Sequence, residues 1–317
     1  MKTRDMIVDY TDKLVGLTGI KRTEILKEIG ITLSKYYDWK RRYGIPNSHN
    51  SNSPKDHWLT EKEESLIIEY AKSHIDEGYR RLTYMMIDEN VAFVSPSSVY
   101  RVLLSQGLLN RWKNDSNSKK GEGFEQPHKV HEHWHIDIKY VNFHGTFLFL
   151  IVIIDGYSRY IVNHGLRKSM QESDVECVLQ QALEKYPEAK PRIISDNGSQ
   201  FVSNDFKNFL SLVSLVHVRT SVAYPQSNGK IERFNKTIKN ECLTIRSFID
   251  FDDAIQQIKS YIDFYNTKRL HSALKYLTPE DYLLGRNEKR IKVRCIKLNK
   301  AKAERKAFYK NALPFVA

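Results

Sequence analysis

The sequence predicts a mixed α/β layer preceded by two small all-α modules, and three observations carry that reading. Residues 131–141, HEHWHIDIKYV, alternate in polarity, and residues 145–156, GTFLFLIVIIDG, form a continuous apolar run bounded by turn residues. From residue 172 onward, segments with helical apolar spacing alternate with short strand-like ones, the pattern of helices packed on a sheet. Before residue 113 the apolar positions recur at helical spacing, in two pairs of short segments punctuated by glycine. At 317 residues with 41% apolar side chains, the chain is long enough for two or three domains and a substantial core.

In the first pair, TEILKEIG (23–30) is broken by Gly30, and Ser34 is placed to cap a second helix, KYYDWKRRY (35–43), that stops at Gly44 and Pro46. Lys35, Lys40, Arg41 and Arg42 on that second helix suggest a DNA-binding helix-turn-helix; an ordinary helical hairpin with a solvated basic face fits the same residues. The second pair repeats the arrangement: GYRRLTYMMIDEN (78–90), a turn, Ser95 as cap, Pro96 at the first helical position, then SSVYRVLLSQ (97–106) stopped by Gly107. Arg101 is the strong base on its second helix, and a packing module fits this segment as well.

Three antiparallel strands come next, with SRYIVNHGL (158–166) pairing across a turn at Asp155-Gly156. ESDVECVLQQALEKY is an amphipathic helix, KPRIISD a short strand, DFKNFLSLV a helix, LVHVRT a strand and NGKIERFNKTIKNECL a helix. The whole of 251–277 reads as helical, and a basic tail follows. This mixed five-stranded arrangement is compatible with an RNase-H-like sheet, although spacing alone does not separate it from other mixed folds. Polar stretches at 47–56 and 113–127 read as linkers. The expected domains are 1–46 and 57–112 as helix-turn-helix modules, 128–246 as a catalytic core and 247–317 as a helical segment with a basic tail.

The net charge of +12 is segregated: residues 1–45 hold ten Lys/Arg against six Asp/Glu, and 286–317 hold eleven against two. Basic ends around a nearly neutral middle point to a polyanionic partner, with nucleic acid ahead of an anionic membrane. The first residues are charged where a signal peptide is apolar, and the run at 147–154 is too short to span a bilayer, so a cytoplasmic protein is expected. Three dispersed cysteines, Cys177, Cys242 and Cys295, argue against a disulfide framework or a structural zinc site.

Three acids stand at element ends or between apolar neighbours. Asp137 lies between Ile136 and Ile138 on a strand, Asp196 ends RIIS before the turn-forming Asn197-Gly198, and Glu232 starts a helix. Carboxylates gathered there would repel, and hard Mg²⁺ or Mn²⁺ ions with oxygen ligands resolve that repulsion. Two ions about 3.5 to 4 Å apart can activate an attacking oxygen and stabilise a leaving one at phosphorus. Taken singly, each acid is more readily a cap or a salt-bridge partner than a catalytic group, and only the set carries weight. On its helix Glu232 shares a face with Lys236 and Lys239, whereas Ile231, Phe234, Ile238 and Cys242 form the face that packs. Two intrahelical Glu-to-Lys pairs explain that register equally well.

WHID at 134–137, SDNGSQF at 195–201 and PQSNGKIERFNKTIK at 225–239 resemble the three motifs of the DDE transposases and retroviral integrases, with 35 residues between the second Asp and the Glu. The closer resemblance is to the IS3 family of bacterial insertion-sequence transposases. GYRRLTYMMIDENVAFVSPSSVYRVLLSQGLL (78–109) is similar to that family's helix-turn-helix, and YIDFYNTKRLHSALKYLTPEDY (261–282) to the segment after its core. The resemblance spans residues 76 to 284. It implies a metal-binding catalytic triad of Asp137, Asp196 and Glu232 and two Mg²⁺ or Mn²⁺ ions. It implies DNA contacts from Asn228, Lys236 and Lys239, beside the basic candidates Lys230, Lys35, Arg41, Arg42 and Arg101. Its implied partners are double-stranded DNA, as element ends and target, and further copies of the chain on that DNA. No GxxxxGK loop is present, so ATP is not expected to drive the reaction.

The family's leucine zipper has no clear counterpart here, and the basic residues of 286–317 exceed the family pattern, their simple reading being extra phosphate contact. His131, His133 and His135 alternate and offer metal ligands, although no further ligand is evident. A nuclease acting on structured or hybrid nucleic acid, and a DNA-binding regulator without catalysis, are the alternatives to a transposase.

Overall fold

The computed structural model describes residues 2–45, 58–109, 126–219 and 228–312; the predicted linker at 47–56, most of that at 113–127, and motif residues 225–227 lie outside them. The chain divides into two compact units, Met1–Trp58 with Arg305–Ala317, and Leu59–Glu304.

The first unit opens with a helix the periodicity did not announce, α1 (Lys2–Thr18), followed by α2 (Arg22–Glu28) and α3 (Leu33–Arg41). Gly30, at φ +73°, makes the left-handed turn between α2 and α3 that a side chain would resist. The cap of α3 is Thr32, whose hydroxyl accepts from Lys35 N at 3.4 Å, and not Ser34, which lies inside the helix. Val8, Leu26 and Tyr36 form a small core. Asp12 of α1 pins α3 by accepting from the Tyr36 hydroxyl and pairing with Lys40 at 2.6 Å.

The second unit begins with α4 (Glu61–Ser73), also unannounced and started by a Thr60–Glu63 capping box, then α5 (Tyr79–Asp88) and α6 (Pro96–Ser105). Ser95 caps α6 as expected, accepting from Ser98 N at 3.2 Å. Ile67, Leu82, Met86, Val99 and Leu103 interlock the three helices.

The sheet follows: β1 (His133–Phe143), β2 (Thr146–Asp155), β3 (Ile161–Arg167), then α7 (Glu172–Lys185), β4 (Arg192–Ser195), α8 (Ser199–Val202), α9 (Asn204–Leu212), β5 (His217–Arg219) and α10 (Gly229–Ile238). Strand order is β3-β2-β1-β4-β5, with β1 to β3 antiparallel and β1/β4 and β4/β5 parallel. Period-two alternation sends Trp134 and Ile136 into one core with α7, α8 and α9, and leaves His135 and Asp137 on the opposite face. That opposite face carries the second core, where Val152, Ile154, Ile231, Phe234 and Ile238 meet Ile258 and Tyr265 of α11 (Phe251–Thr267). A π-helical turn, Lys239–Leu243, continues α10.

The expected helix over 251–277 ends at Thr267. Arg269 turns inward to grip Glu241 with Nε at 2.7 Å and Nη2 at 2.5 Å, and Lys275 and Tyr276 take left-handed φ values of +53° and +56°, which no helix accommodates. After α12 (Pro279–Leu283) the basic tail is one helix, α13 (Asn287–Ala312). Part of its charge is committed within the protein. Arg294, 4% exposed, donates to Asp88 at 2.8 and 2.6 Å and to the carbonyls of Lys275 and Tyr276 at 3.3 and 2.7 Å. Arg290 also reaches Asp88, and Lys297 donates to the Ile87 carbonyl. The reading of this tail as phosphate contact therefore does not extend to these three residues.

Candidate active site

Parallel pairing of β1 and β4 matches His133 with Arg192, Trp134 with Ile193 and His135 with Ile194. Extending that register two residues past its last pair leads Asp137 toward Asp196, which stands just after the end of β4. The strand chemistry explains why they are there: β4 is a short apolar run that ends at the Asn197-Gly198 turn, and Gly198 N donates to Asp196 Oδ1 at 2.9 Å. A side chain at Gly198 would sit 3.1 Å from that same oxygen. Asp196 is exposed, whereas Asp137 is half-buried under α10.

α10 positions the third acid. Ile231, Phe234, Ile238 and Cys242 are buried, and Glu232, Arg233, Lys236 and Lys239 are exposed, as the helical register predicts. Asn235 was not singled out from the sequence, yet it is buried and its Nδ2 donates to Asp137 Oδ2 at 2.6 Å. An amide inside an otherwise apolar helical stripe is the signal that marks it. Burial first, then the charges of Asp196 and Glu232, push the Asp137 carboxyl up to about 6, while the Asn235 amide opposes the shift. An Asp137 whose ionisation is opposed by neighbouring carboxylates suits a divalent cation, and oxygen donors are what Mg²⁺ and Mn²⁺ select. Glu232 acts on Asp137 more weakly than Asp196 does. Among the described residues no group of three His, Cys, Asp or Glu stands close enough to hold a metal ion, so the three acids are not drawn together into one ligand set.

The remaining candidates separate. Lys230 is half-buried, away from the exposed Lys236 and Lys239, and burial together with the nearby Arg159 lowers its ammonium to about 7. Asn228, 4% exposed, is buried near the buried His135. His131 precedes β1 at φ +60° and accepts from Trp134 Nε1 at 3.1 Å, so the three histidines do not form a metal face. On α3, Lys35 and Arg41 are exposed, with Lys35 over the Trp39 ring at 5.1 Å, while Arg42 pairs with Asp38. Arg101 is exposed on α6 beside Tyr79, Arg80, Pro96, Ser97 and Tyr100, which line a shallow groove with it.

Residues 127–225 and 214–279 each match a family model described as integrase core domain. The transposase for insertion sequence element IS904 of Lactococcus lactis subsp. lactis (strain IL1403) is 30% identical over 238 residues, covering 71% of this chain and 92% of its own length. The transposase for insertion sequence element IS629 of Shigella sonnei is 24% identical over 284 residues, covering 85% of this chain and 93% of its own. Among solved structures, the HTLV-2 integrase catalytic core domain in complex with magnesium is similar at 20% identity, covering 49% of this chain and 98% of that one, with a TM-score of 0.39.

Proposed function

This chain belongs to the IS3-family insertion-sequence transposases, and we propose that it binds the terminal inverted repeats of its element and uses Asp137, Asp196 and Glu232 to cut those ends and join them to target DNA. Its activity is polynucleotidyl transfer in DNA transposition and integration. What most supports the residue assignment is the register of the β1/β4 ladder, which leads Asp137 toward Asp196, together with the bond from Asn235 of α10, the helix that carries Glu232, to the Asp137 carboxylate.

Asp137, Asp196 and Glu232 would hold two Mg²⁺ or Mn²⁺ ions when DNA is bound. Bound there, the ions supply Lewis-acid polarisation of the reacting phosphate and neutralise charge growing on its oxygens. Asn235 fixes the orientation of the Asp137 carboxylate through its 2.6 Å hydrogen bond. Lys236 and Lys239, on the exposed face of Glu232, hold phosphates of the element end in line with the acids. Lys35, Arg41, Arg42 and Arg101 supply duplex contacts from the two helical modules, with 1–46 and 57–112 as end-binding domains, 128–246 as the catalytic core and 247–317 as its helical and basic extension. The chain works as an oligomer on DNA, in the bacterial cytoplasm at the nucleoid, without ATP. Among the described residues no helix is long and apolar enough to cross a membrane.

The test is incubation with Mg²⁺ and duplexes ending in the inverted repeats that flank the coding sequence. The expected product is a recombinant joint, lost in Asp196→Asn while duplex binding persists. Hydrolysis without joints would indicate a nuclease, and an Asp196→Asn chain as active as the parent would remove Asp196 from the site.

A further inference from the structure

We infer that His217 and Ser195 are positioning residues for Asp196: together they fix the backbone from which that carboxylate projects, and so set how tightly the site takes up its metal ions. The inference rests on the transposase reading above and deepens it. Asp196 stands one residue past the end of β4, where the strand ladder no longer holds the chain. Two contacts take over. Gly198 N donates to the carboxylate Oδ1 at 2.9 Å, and on the backbone side the Ser195 hydroxyl donates to the Asp196 carbonyl, also at 2.9 Å.

A serine hydroxyl has a single proton. With that proton on the carbonyl, Ser195 Oγ can only accept from His217 Nε2, which lies 2.9 Å away. The bond therefore requires a proton on Nε2, and the donors run one way, from His217 through Ser195 to the backbone of Asp196. Strand pairing explains the meeting. β4 and β5 are parallel, with Ile193 opposite His217 and Ser195 opposite Arg219, so period two places His217 and Ser195 on one face. It is the face on which Ile193 packs with α9, not that of Asp137.

The His217 ring stands edge-on to the fully buried Phe206 of α9, with centroids 5.5 Å apart at 84°, which fixes its plane. Ser195 is fully buried as well. A buried hydroxyl that relays a hydrogen bond to backbone is not a nucleophile, and the pair acts on the reaction only through Asp196. Side chains that orient a ligating carboxylate in this way change metal affinity by about 10- to 100-fold when they are lost.

The experiment titrates Mn²⁺ into the full chain bound to a duplex ending in the flanking inverted repeat, follows the free-ion signal by electron paramagnetic resonance, and measures joint formation in parallel. In His217→Leu the Mn²⁺ dissociation constant is expected to rise about tenfold, while duplex affinity in chelator stays unchanged. His217→Gln, whose amide nitrogen donates from nearly the reach of Nε2, should restore most of the affinity; a packing role would not separate Leu from Gln in this way. Ser195→Ala should show the same loss, and combining it with His217→Leu should add nothing, because both changes cut one chain of bonds. If His217→Leu does not fold, Ser195→Ala and His217→Gln decide: the first should lose Mn²⁺ affinity and the second keep it. Unchanged Mn²⁺ affinity in His217→Leu and Ser195→Ala, losses that multiply when the two are combined, a His217→Gln chain as weak as His217→Leu, or a parent chain that takes up no Mn²⁺ would overturn the inference. Failure of the transposase reading is seen separately, as a parent chain that takes up Mn²⁺ on the duplex but forms no joints.

Discussion

The Asp137 carboxyl holds its proton up to about pH 6 because burial and the charges of Asp196 and Glu232 oppose ionisation. In the unfolded chain an aspartate titrates near 3.9. The folded state therefore binds more protons between these values, and stability falls as pH rises through that window. Removing the charge should remove the penalty: without metal, Asp137→Asn is expected to be more stable than the parent at pH 8, by about 1 to 3 kcal/mol, and to show no gain at pH 3.5. Thermal unfolding in chelator at the two pH values checks this, and a lower midpoint for the variant at pH 8 would contradict it. The three acids proposed for the site were picked out by ordered motifs, and the alternation of β1 gave the face of Asp137. The partner of its carboxylate was not. Asn235 becomes meaningful only when α10 is laid on β1, a contact made across 98 residues of chain.

Whether a segment became a helix was readable where apolar spacing was regular, and failed where a long-range partner decides. The end of α11 is set by Arg269 reaching back to Glu241, whose second partner is the Tyr261 hydroxyl at 2.9 Å. The start of α3 is set by Thr32, two residues ahead of the serine that the pattern favoured. α13 was visible only as charge, because its buried residues include Arg294 and Arg305 in place of an apolar stripe. Replacing Arg294 by Met should leave Asp88 and the carbonyls of two left-handed residues without their buried donor. The expected cost is about 3 to 5 kcal/mol, read from denaturant unfolding. Arg294→Lys, which keeps the charge but not the two-pronged grip, should recover only part. A loss under 1 kcal/mol for Arg294→Met would mean that α13 does not anchor this corner.

For the whole molecule, segregated charge pointed to nucleic acid before any motif was considered, but charge counts overstate what is available to DNA. In the first unit Lys35, Lys40 and Arg41 are all exposed, but Lys40 is paired with Asp12 at 2.6 Å. The logarithm of duplex affinity should fall linearly with that of salt concentration. Lys35→Gln and Arg41→Gln are each expected to reduce that slope by about 1, and Lys40→Gln to lower thermal stability with the slope unchanged. Equal slopes for all three variants would mean that this face does not meet phosphate.

The parallel ladder of β1 and β4 has a further consequence for how much of the chain can be altered. What brings Asp137 and Asp196 toward each other is the lateral pairing of the strands they follow, not the length of backbone joining them. Between the acids the chain runs through β2, β3 and α7, and the connections that take no part in pairing can change length while the ladders stay intact. The tip of the first hairpin, at His144 and Gly145, is six or more residues along β1 from Asp137, about 20 Å away. That tip is a natural point for inserting a tag or opening the chain for permutation, at a distance from the acids.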